Sequence, residues 1–294
     1  MTDSSISWLA ERPQLESPVL LVMLTGWIDA GGAGASAMEA IESECQATPI
    51  ATFDDDLYID FRARRPTMEL REGINTVLQW SRINVSTGRD QAGHDLVLLT
   101  GPEPDMAWHR FCDAVGDLAV ELGVTRMFAL GAYPFAAPHT RTPRLSVSTP
   151  SQDVLASVRF MRSSVDVPAG VAASIEHAMH SRGIPALGIW VQVPHYITSM
   201  SYPAASVALL DSLREVADIV IDGAQIRQEA VIQRGRLDKL VADNAEHTQM
   251  LARLEELYDA TDDPGATDLT GPSLELRSGD ELAAELEQYL RDQD

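Results

Sequence analysis

Short apolar runs alternate with helix-length segments through residues 1–221, and this alternation restricts the possible folds more than any other feature of the sequence. Four runs are almost continuously apolar and rich in Val, Leu and Ile: residues 19–24, 95–100, 125–131 and 186–193. Such runs are typical of parallel strands buried on both faces. Segments long enough for helices lie at residues 33–43, 104–122, 168–182 and 202–219. The pattern predicts an α/β core domain, residues 1–221, with three layers: helices cover both faces of a largely parallel sheet.

A different periodicity separates the first two of these runs. Apolar residues there fall into three short groups with spacing close to two: Leu57, Ile59 and Phe61; Met68 and Leu70; Val77 and Leu78 with Trp80. A period of two indicates strands with one buried face. We therefore expect antiparallel strands at one edge of the sheet, which makes the sheet mixed.

Residues 222–260 contain no proline and carry apolar residues at spacings of threes and fours: Ile226, Ala230, Leu237, Leu240, Leu251, Leu254 and Tyr258. This spacing predicts one long helical extension that packs on the core or on another subunit. Polar Gln233, Asn244 and His247 fill the rest of the stripe, which favours packing in a bundle over an isolated coiled coil.

The end of the chain is acidic. From residue 222 onward there are 18 acidic residues and seven basic ones. Residues 261–279, with their Asp, Gly and Pro, predict a linker. Residues 280–294 predict a short amphipathic tail helix whose apolar face holds Leu282, Leu286, Tyr289 and Leu290.

The overall charge excludes some partners. The chain has 44 acidic and 22 basic residues, a formal net charge of −22, and such a field repels nucleic-acid phosphates and anionic lipid surfaces. Its two cysteines, Cys45 and Cys112, are too few for a disulfide framework. No leader-like segment and no run of about 18 uncharged apolar residues is present. We expect a cytoplasmic protein without a membrane span or a nucleic-acid partner.

A glycine-rich turn, GWIDAGGAGA at residues 26–35, connects the first predicted strand to the first predicted helix. A strand, a glycine-rich turn and a helix N-terminus together form the geometry that binds anions. The nucleotide-binding spacing G-x-G-x-x-G is absent, however, and no Lys-Ser/Thr pair follows the glycines. Asp29 would also repel phosphate. We interpret the segment as a structural turn in which glycine permits positive φ and close packing.

Polar residues follow each of the four predicted parallel strands. In an open α/β sheet, ligands bind outside the carboxyl ends of the strands. We predict a candidate cleft there, lined by Gly26, Trp27, Asp29, Glu103, Asp105, His139, Arg141, His195 and Tyr196. Such a set can carry out acid–base chemistry or bind a small molecule. Alternatively, the prolines and histidines shape these loops or contact a partner, and we favour this second interpretation.

No motif predicts a metal or a cofactor. His177 and His180 lie three residues apart, but no H-E-x-x-H motif or cysteine pair accompanies them, and a solvated helix face explains the spacing. The acidic run at residues 54–56 faces Arg62, Arg64 and Arg65 in the sequence, which indicates charge balance across a loop.

Five segments in register resemble the bacterial branch of the proteasome assembly chaperone 2 family: GWIDAGGAGASA (26–37), FRARRPTMEL (61–70), GPEPDMAWHRF (101–111), PHTR (138–141) and VPHY (193–196). The resemblance covers about residues 6–260. It implies a three-layer core similar to the phosphorylase/hydrolase-like fold, in proteins that act by association and are often homo-oligomers.

The C-terminus departs from the family pattern. Archaeal and eukaryotic relatives contact the proteasome through a C-terminal hydrophobic-tyrosine-any tripeptide with a free carboxylate. Here Gln288, Tyr289 and Leu290 resemble the tail of bacterial proteasome activators, but four further residues follow. Tyr289 and Leu290 are therefore the candidate partner-binding residues, on condition that the tail is trimmed.

Two classes of function follow from these observations. The favoured one is a non-enzymatic, self-associating interaction protein of the assembly-chaperone type, with proteasome subunits as possible partners. The alternative is a small-molecule-binding protein or a hydrolase- or phosphorylase-like enzyme that uses the strand-end cleft.

Overall fold

The computed structural model describes residues 5–260 as a mixed eight-stranded sheet covered by helices, together with a separate two-stranded hairpin. The strands are β1 (Ile6–Trp8), β2 (Val19–Thr25), β3 (Thr48–Phe53), β4 (Thr67–Arg71), β5 (Ile74–Gln79), β6 (Asn84–Arg89), β7 (Asp95–Pro102), β8 (Arg126–Phe135), β9 (Leu145–Ser148) and β10 (Ala186–Pro194). The helices are α1 (Ala33–Glu44), α2 (Asp55–Tyr58), α3 (Trp108–Glu121), α4 (Gln152–Ser157), α5 (Val171–Ser181), α6 (Pro203–Ala217), α7 (Ala224–Ala242) and α8 (Ala245–Ala260).

The centre of the sheet consists of the four strands that the apolar runs predict. The strand order is β1-β3-β6-β7-β2-β8-β10-β9, and β7, β2, β8 and β10 are parallel neighbours. The strands β1, β3 and β6 add antiparallel pairs at one edge, and β9 does so at the other. The predicted mixed, largely parallel sheet is therefore confirmed.

The predicted origin of the antiparallel edge was wrong. The period-two region does not join the main sheet, because its second half forms the isolated β4–β5 hairpin and its first half begins in α2. Asp54 caps α2 by accepting a hydrogen bond from the Asp56 N–H at 3.1 Å. Because a carboxylate cap and acidic first-turn residues stabilise a helix start, Leu57 lies in a helix and not in a strand.

The core has two apolar layers, one on each face of the sheet. One layer packs α1 and α6 against the strands, and the other packs α3 and α5. In the second layer, the rings of Phe53, Tyr58 and Phe111 are packed with centroids 4.7 to 5.9 Å apart. Cys45 and Cys112 are buried free thiols, and burial raises the pKa of each to about 12.

The predicted long helix is two helices, α7 and α8. Asn244 separates them, because its side-chain oxygen accepts a hydrogen bond from the Glu246 N–H at 2.9 Å and so caps α8. On α7, Ile226 and Leu237 are buried in the first core layer, and on α8 Leu254 is buried. This part of the chain therefore packs on the core of its own subunit, one of the two arrangements that the sequence allowed.

No helix within residues 5–260 is both long and apolar enough to span a bilayer. The predicted linker at residues 261–279 and the predicted tail helix at residues 280–294, with Tyr289 and Leu290, lie outside the described residues.

Candidate functional site

The side chain of Asp29 lies inside the glycine-rich turn and bonds to its backbone. Its carboxylate accepts hydrogen bonds from the backbone N–H groups of Gly34, at 2.8 Å, and Ala35, at 3.0 Å, in the first turn of α1. An anion bound at a helix N-terminus would use such groups. The carboxylate of the turn itself therefore occupies the position of an anionic ligand.

Gly31 joins this turn to the segment that follows β10. Its φ is 62°, its N–H donates to the Thr198 carbonyl at 3.1 Å, and its carbonyl accepts from the Tyr202 N–H at 3.0 Å. A Cβ at this position would lie 2.9 Å from the Cβ of Tyr202. Both the backbone conformation and the close approach therefore require glycine.

Glu103 and Gly26 form the second contact region, between the ends of β7 and β2. The Glu103 N–H donates to the Thr25 carbonyl at 2.7 Å, and its carboxylate accepts from the Val171 N–H at 3.2 Å. This second acidic side chain therefore occupies the N-terminus of α5. Arg64 covers Gly26 so closely that a Cβ there would lie 2.9 Å from the guanidinium.

Asp105 completes this region. Its carboxylate accepts hydrogen bonds from Arg64 Nε at 3.0 Å and from the Asp60 N–H at 2.9 Å. Nearby, the Trp27 ring packs on Gly170, where a Cβ would lie 2.8 Å from the indole. The charged groups at the ends of β2 and β7 are thus paired with each other or with backbone N–H groups.

His139 lies at the centre of a third region, between the ends of β8 and β10. Its Nδ1 is 2.7 Å from the Tyr196 hydroxyl, which also accepts from the His139 backbone N–H at 2.8 Å. Its Nε2 is 3.2 Å from a carboxylate oxygen of Asp238 on α7. Arg234 donates to that carboxylate and to the His139 carbonyl, both at 2.9 Å.

This geometry defines the tautomer of His139. The Asp238 carboxylate can only accept, so Nε2 carries the proton and donates to it, and Nδ1 of the neutral ring accepts from the Tyr196 hydroxyl. Burial and the nearby Arg234 lower the pKa of His139, against the opposing effect of Asp238. The side chain is 0% exposed. Both ring nitrogens of the neutral imidazole are hydrogen-bonded within the chain. The arrangement therefore suits a structural link between the loops and α7 better than a proton-transferring base.

Arg141 connects the same loop to α8. Its guanidinium bonds Asp259 at 2.7 and 2.8 Å and Glu255 at 3.1 Å. Glu255 also accepts a hydrogen bond from the Thr140 hydroxyl. Tyr258 donates to the Thr142 carbonyl at 2.6 Å. The β8–β9 loop is therefore attached to α8 mainly through polar groups.

The nine predicted cleft residues thus divide into separate contact groups. Gly26 lies beside both Arg64 and Glu103, Arg64 also binds Asp105, and Trp27 packs nearby on Gly170. Asp29 caps α1 and forms a parallel bridge to Ala132 of β8. His139 and Tyr196 are hydrogen-bonded, and Arg141 binds α8 next to them. His195 is exposed, and its ring contacts Tyr196 at 5.4 Å between centroids.

Sequence reasoning missed the partners that neutralise these groups: Arg64, Arg234, Asp238, Glu255 and Asp259. Four of the five lie on α7 and α8, which the sequence analysis treated as a separate extension. The available signal was the spacing of Arg234 and Asp238, four residues apart on one helix face and therefore able to pair.

A buried carboxyl group lies away from this site. Glu176 of α5 is 3% exposed, accepts from the Ser148 hydroxyl at 3.1 Å, and sits where a Cβ on Gly188 would be 2.5 Å away. Ser148 in turn accepts from the Trp190 indole N–H at 3.3 Å. Burial raises the pKa of Glu176 to about 8, so the group is mostly protonated at neutral pH.

A groove lies at the opposite end of the sheet from the predicted cleft. It has a volume of about 370 Å³ and is found at the amino ends of β8 and β10, between α4 and α6, where Phe128, Val154, Leu187 and Val216 line it. Over residues 5–260, no group of three or more His, Cys, Asp or Glu side chains is placed to hold a metal ion. His177 and His180 are exposed.

Comparison with known proteins assigns the chain to a protein family. Residues 23–241 match the model of the PAC2 family, which is more than half of the chain. The protein therefore belongs to the PAC2 family, as the five loop segments predicted.

Solved structures are similar over most of the chain. A Mycobacterium tuberculosis protein of unknown function is 32% identical, with a TM-score of 0.79 over 88% of this chain and 90% of that one. A Corynebacterium glutamicum protein of unknown function is 28% identical, with a TM-score of 0.81 over 88% and 98%. A proteasome-assembly chaperone homologue of M. tuberculosis is 30% identical, with a TM-score of 0.74 over 81% and 99%. No curated protein matches the chain.

Proposed function

We propose that this protein is a cytoplasmic, non-enzymatic interaction protein of the assembly-chaperone type, that it associates with itself and with proteasome subunits, and that it does not bind nucleic acid. Two findings support the proteasome as partner: membership of the PAC2 family, and 30% identity to a protein described as a proteasome-assembly chaperone homologue. The net charge of −22 supports the exclusion of nucleic acid.

The observation that carries the non-enzymatic part is the state of the polar groups at the strand ends. The Asp29 and Glu103 carboxylates occupy helix N-termini, and His139 is enclosed between Tyr196 and Asp238. A catalytic acid or base needs a free lone pair or proton within reach of a substrate. These side chains instead bond to other parts of the same chain and fix the loops that a partner would contact.

The test is affinity purification of the full chain from its native host, with proteasome subunits quantified by mass spectrometry. We expect enrichment over an unrelated protein of similar negative charge. Tyr289→Ala serves as the matched variant, because it separates a contact made by the tail from one made by the α/β core. Absence of proteasome subunits from both purifications would refute the proposed partner.

A metabolite screen by thermal shift tests the alternative, a small-molecule site in the same crevice. Ligand binding raises the unfolding temperature only where the folded state binds. Under our proposal no metabolite stabilises the protein through this region. A compound that stabilises the parent chain but not His139→Gln or Arg141→Gln would instead support a ligand-binding function.

A further inference from the structure

The β4–β5 hairpin exposes an apolar surface that the fold of one chain leaves uncovered. Six of its large side chains, counting Trp80 directly after β5, are 42% to 66% exposed: Met68, Leu70, Ile74, Val77, Leu78 and Trp80. Contiguous exposed apolar patches of this kind mark interaction sites in soluble proteins.

Four of the six exposed apolar residues share one face of the hairpin. Met68 pairs with Leu78 across the two strands, so their side chains share a face, and Leu70 and Trp80 lie two residues from Met68 and Leu78 respectively on that face. The opposite face is more polar: Val77 and Ile74 pair there with Glu69 and Arg71, and the Glu69 carboxylate accepts from the Gln79 amide at 2.6 Å. This alternation is typical of strands with one buried face.

The hairpin needs a neighbour to be stable in this form. Two strands alone are marginal in water, and stable sheets have more strands or pack against another element. At its base the Phe61 and Trp80 rings pack edge to face with centroids 4.6 Å apart, which anchors one end. Strand β5, with the sequence INTVLQ, contains no charge and no proline, the usual devices that prevent a sheet edge from pairing.

The apolar face and the charge of this hairpin fit a second copy of the same chain. The four half-exposed side chains of this face, at about 100 Å² each, give roughly 400 Å² of apolar area per copy, or about 800 Å² for two copies, and the polar side chains around the face add to this area. Residues 61–66 contain Arg62 and Arg65 besides Arg64, which binds Asp105 of the same chain, and no acidic residue, whereas residues 67–79 contain two glutamates and one arginine. An antiparallel two-fold contact therefore brings the basic base of one hairpin to the acidic tip of the other.

We propose that the β4–β5 hairpin is the self-association surface of this protein, and that it packs against the same hairpin of a second copy about a two-fold axis. This inference deepens the proposed function, because it rests on the self-association included there and identifies the residues that carry it. It does not depend on the proteasome as partner.

Analytical ultracentrifugation of the full chain across a concentration series tests the proposal. We expect the parent chain to form dimers or larger assemblies built from them. Leu78→Glu should weaken association on the order of 100-fold or more, since it places a charge at the centre of the apolar face. Val231→Glu is the matched control: Val231 is 74% exposed on α7, and its replacement should leave association unchanged.

Each other outcome has a defined meaning. A parent chain that stays monomeric throughout the series, or a Leu78→Glu variant that associates like the parent, overturns the proposal. Met68→Lys repeats the test from the other strand if circular dichroism shows that Leu78→Glu does not fold. A Leu78→Glu variant that keeps its oligomeric state but no longer retains proteasome subunits assigns the hairpin to that partner and refutes the second copy. Purification of the parent chain with proteasome subunits tests the proposed partner separately.

Discussion

Strands β7 and β5 are both rich in large apolar residues, yet the fold buries the first and exposes the second. In β7, Leu96, Leu98 and Leu99 are at most 1% exposed, because β2 and β6 flank the strand and helices cover both faces. In β5, Ile74, Val77 and Leu78 are each more than 40% exposed. Apolar content therefore identifies strands that require burial, and the surrounding fold determines whether one chain provides it.

The largest expected effect is a difference in stability between truncations in these two strands. Leu98→Ala should lower the free energy of unfolding by about 3 kcal/mol, because it leaves a cavity in a closed core. Leu78→Ala, measured in urea at concentrations where the chain is monomeric, should change it by less than about 0.5 kcal/mol. Equal losses would mean that the hairpin is packed within one chain.

The next largest effect is a pH dependence of stability that comes from the buried Glu176 carboxyl group. The pKa of Glu176 is raised to about 8 in the folded chain from an ordinary value near 4.5, so the folded state holds an extra proton between those pH values. The free energy of unfolding should therefore fall as pH rises through this window.

Glu176→Gln provides the measurement. The amide stays neutral and keeps an acceptor for the Ser148 hydroxyl, so the variant should be more stable than the parent at pH 9, by about 2 kcal/mol or more, and similar to it near pH 4.5. Urea unfolding at several pH values measures this difference. A parent chain that shows the same pH dependence as the variant would rule out the raised pKa.

A smaller effect is expected at the glycine-rich turn. Asp29→Ala removes the acceptor for two backbone N–H groups at the start of α1 and should cost about 1 kcal/mol of stability. Asp29→Asn keeps one acceptor oxygen and should lose less. If the turn bound an anion instead, Asp29→Asn would make phosphate stabilise the protein in thermal unfolding, and we expect no such gain.

The smallest effect on global stability concerns α8. Arg141→Gln removes ion pairs to Glu255 and Asp259, both partly exposed to water, so the midpoint of thermal unfolding should barely move. Hydrogen exchange should nevertheless become faster in α8, because only Leu254 of that helix is buried. The exchange in β7 serves as the internal control, and an equal acceleration there would contradict a local role.

The sequence predicted the central strands because burial on both faces requires continuous apolar runs, as in β2 and β7. It could not place the β4–β5 hairpin, since a period of two indicates a buried face but not what buries it. It missed the helix cap at Asn244, because the spacing pattern cannot distinguish a capping Asn from any other polar residue within an apolar stripe. The partners of His139 and Arg141 were equally hidden, since Asp238, Glu255 and Asp259 lie about a hundred residues further along the chain.

The order of strands in the sheet also governs when the protein can fold during synthesis. Strand β2 lies between β7 and β8, so both of its neighbours are translated long after it. The centre of the sheet can close only once residues up to Phe135 have left the ribosome. Until then the apolar β2 segment has no sheet partner. Such non-local pairing slows folding and leaves aggregation-prone apolar surface exposed. A nascent chain of this topology is therefore prone to aggregation until β7 and β8 have been synthesised.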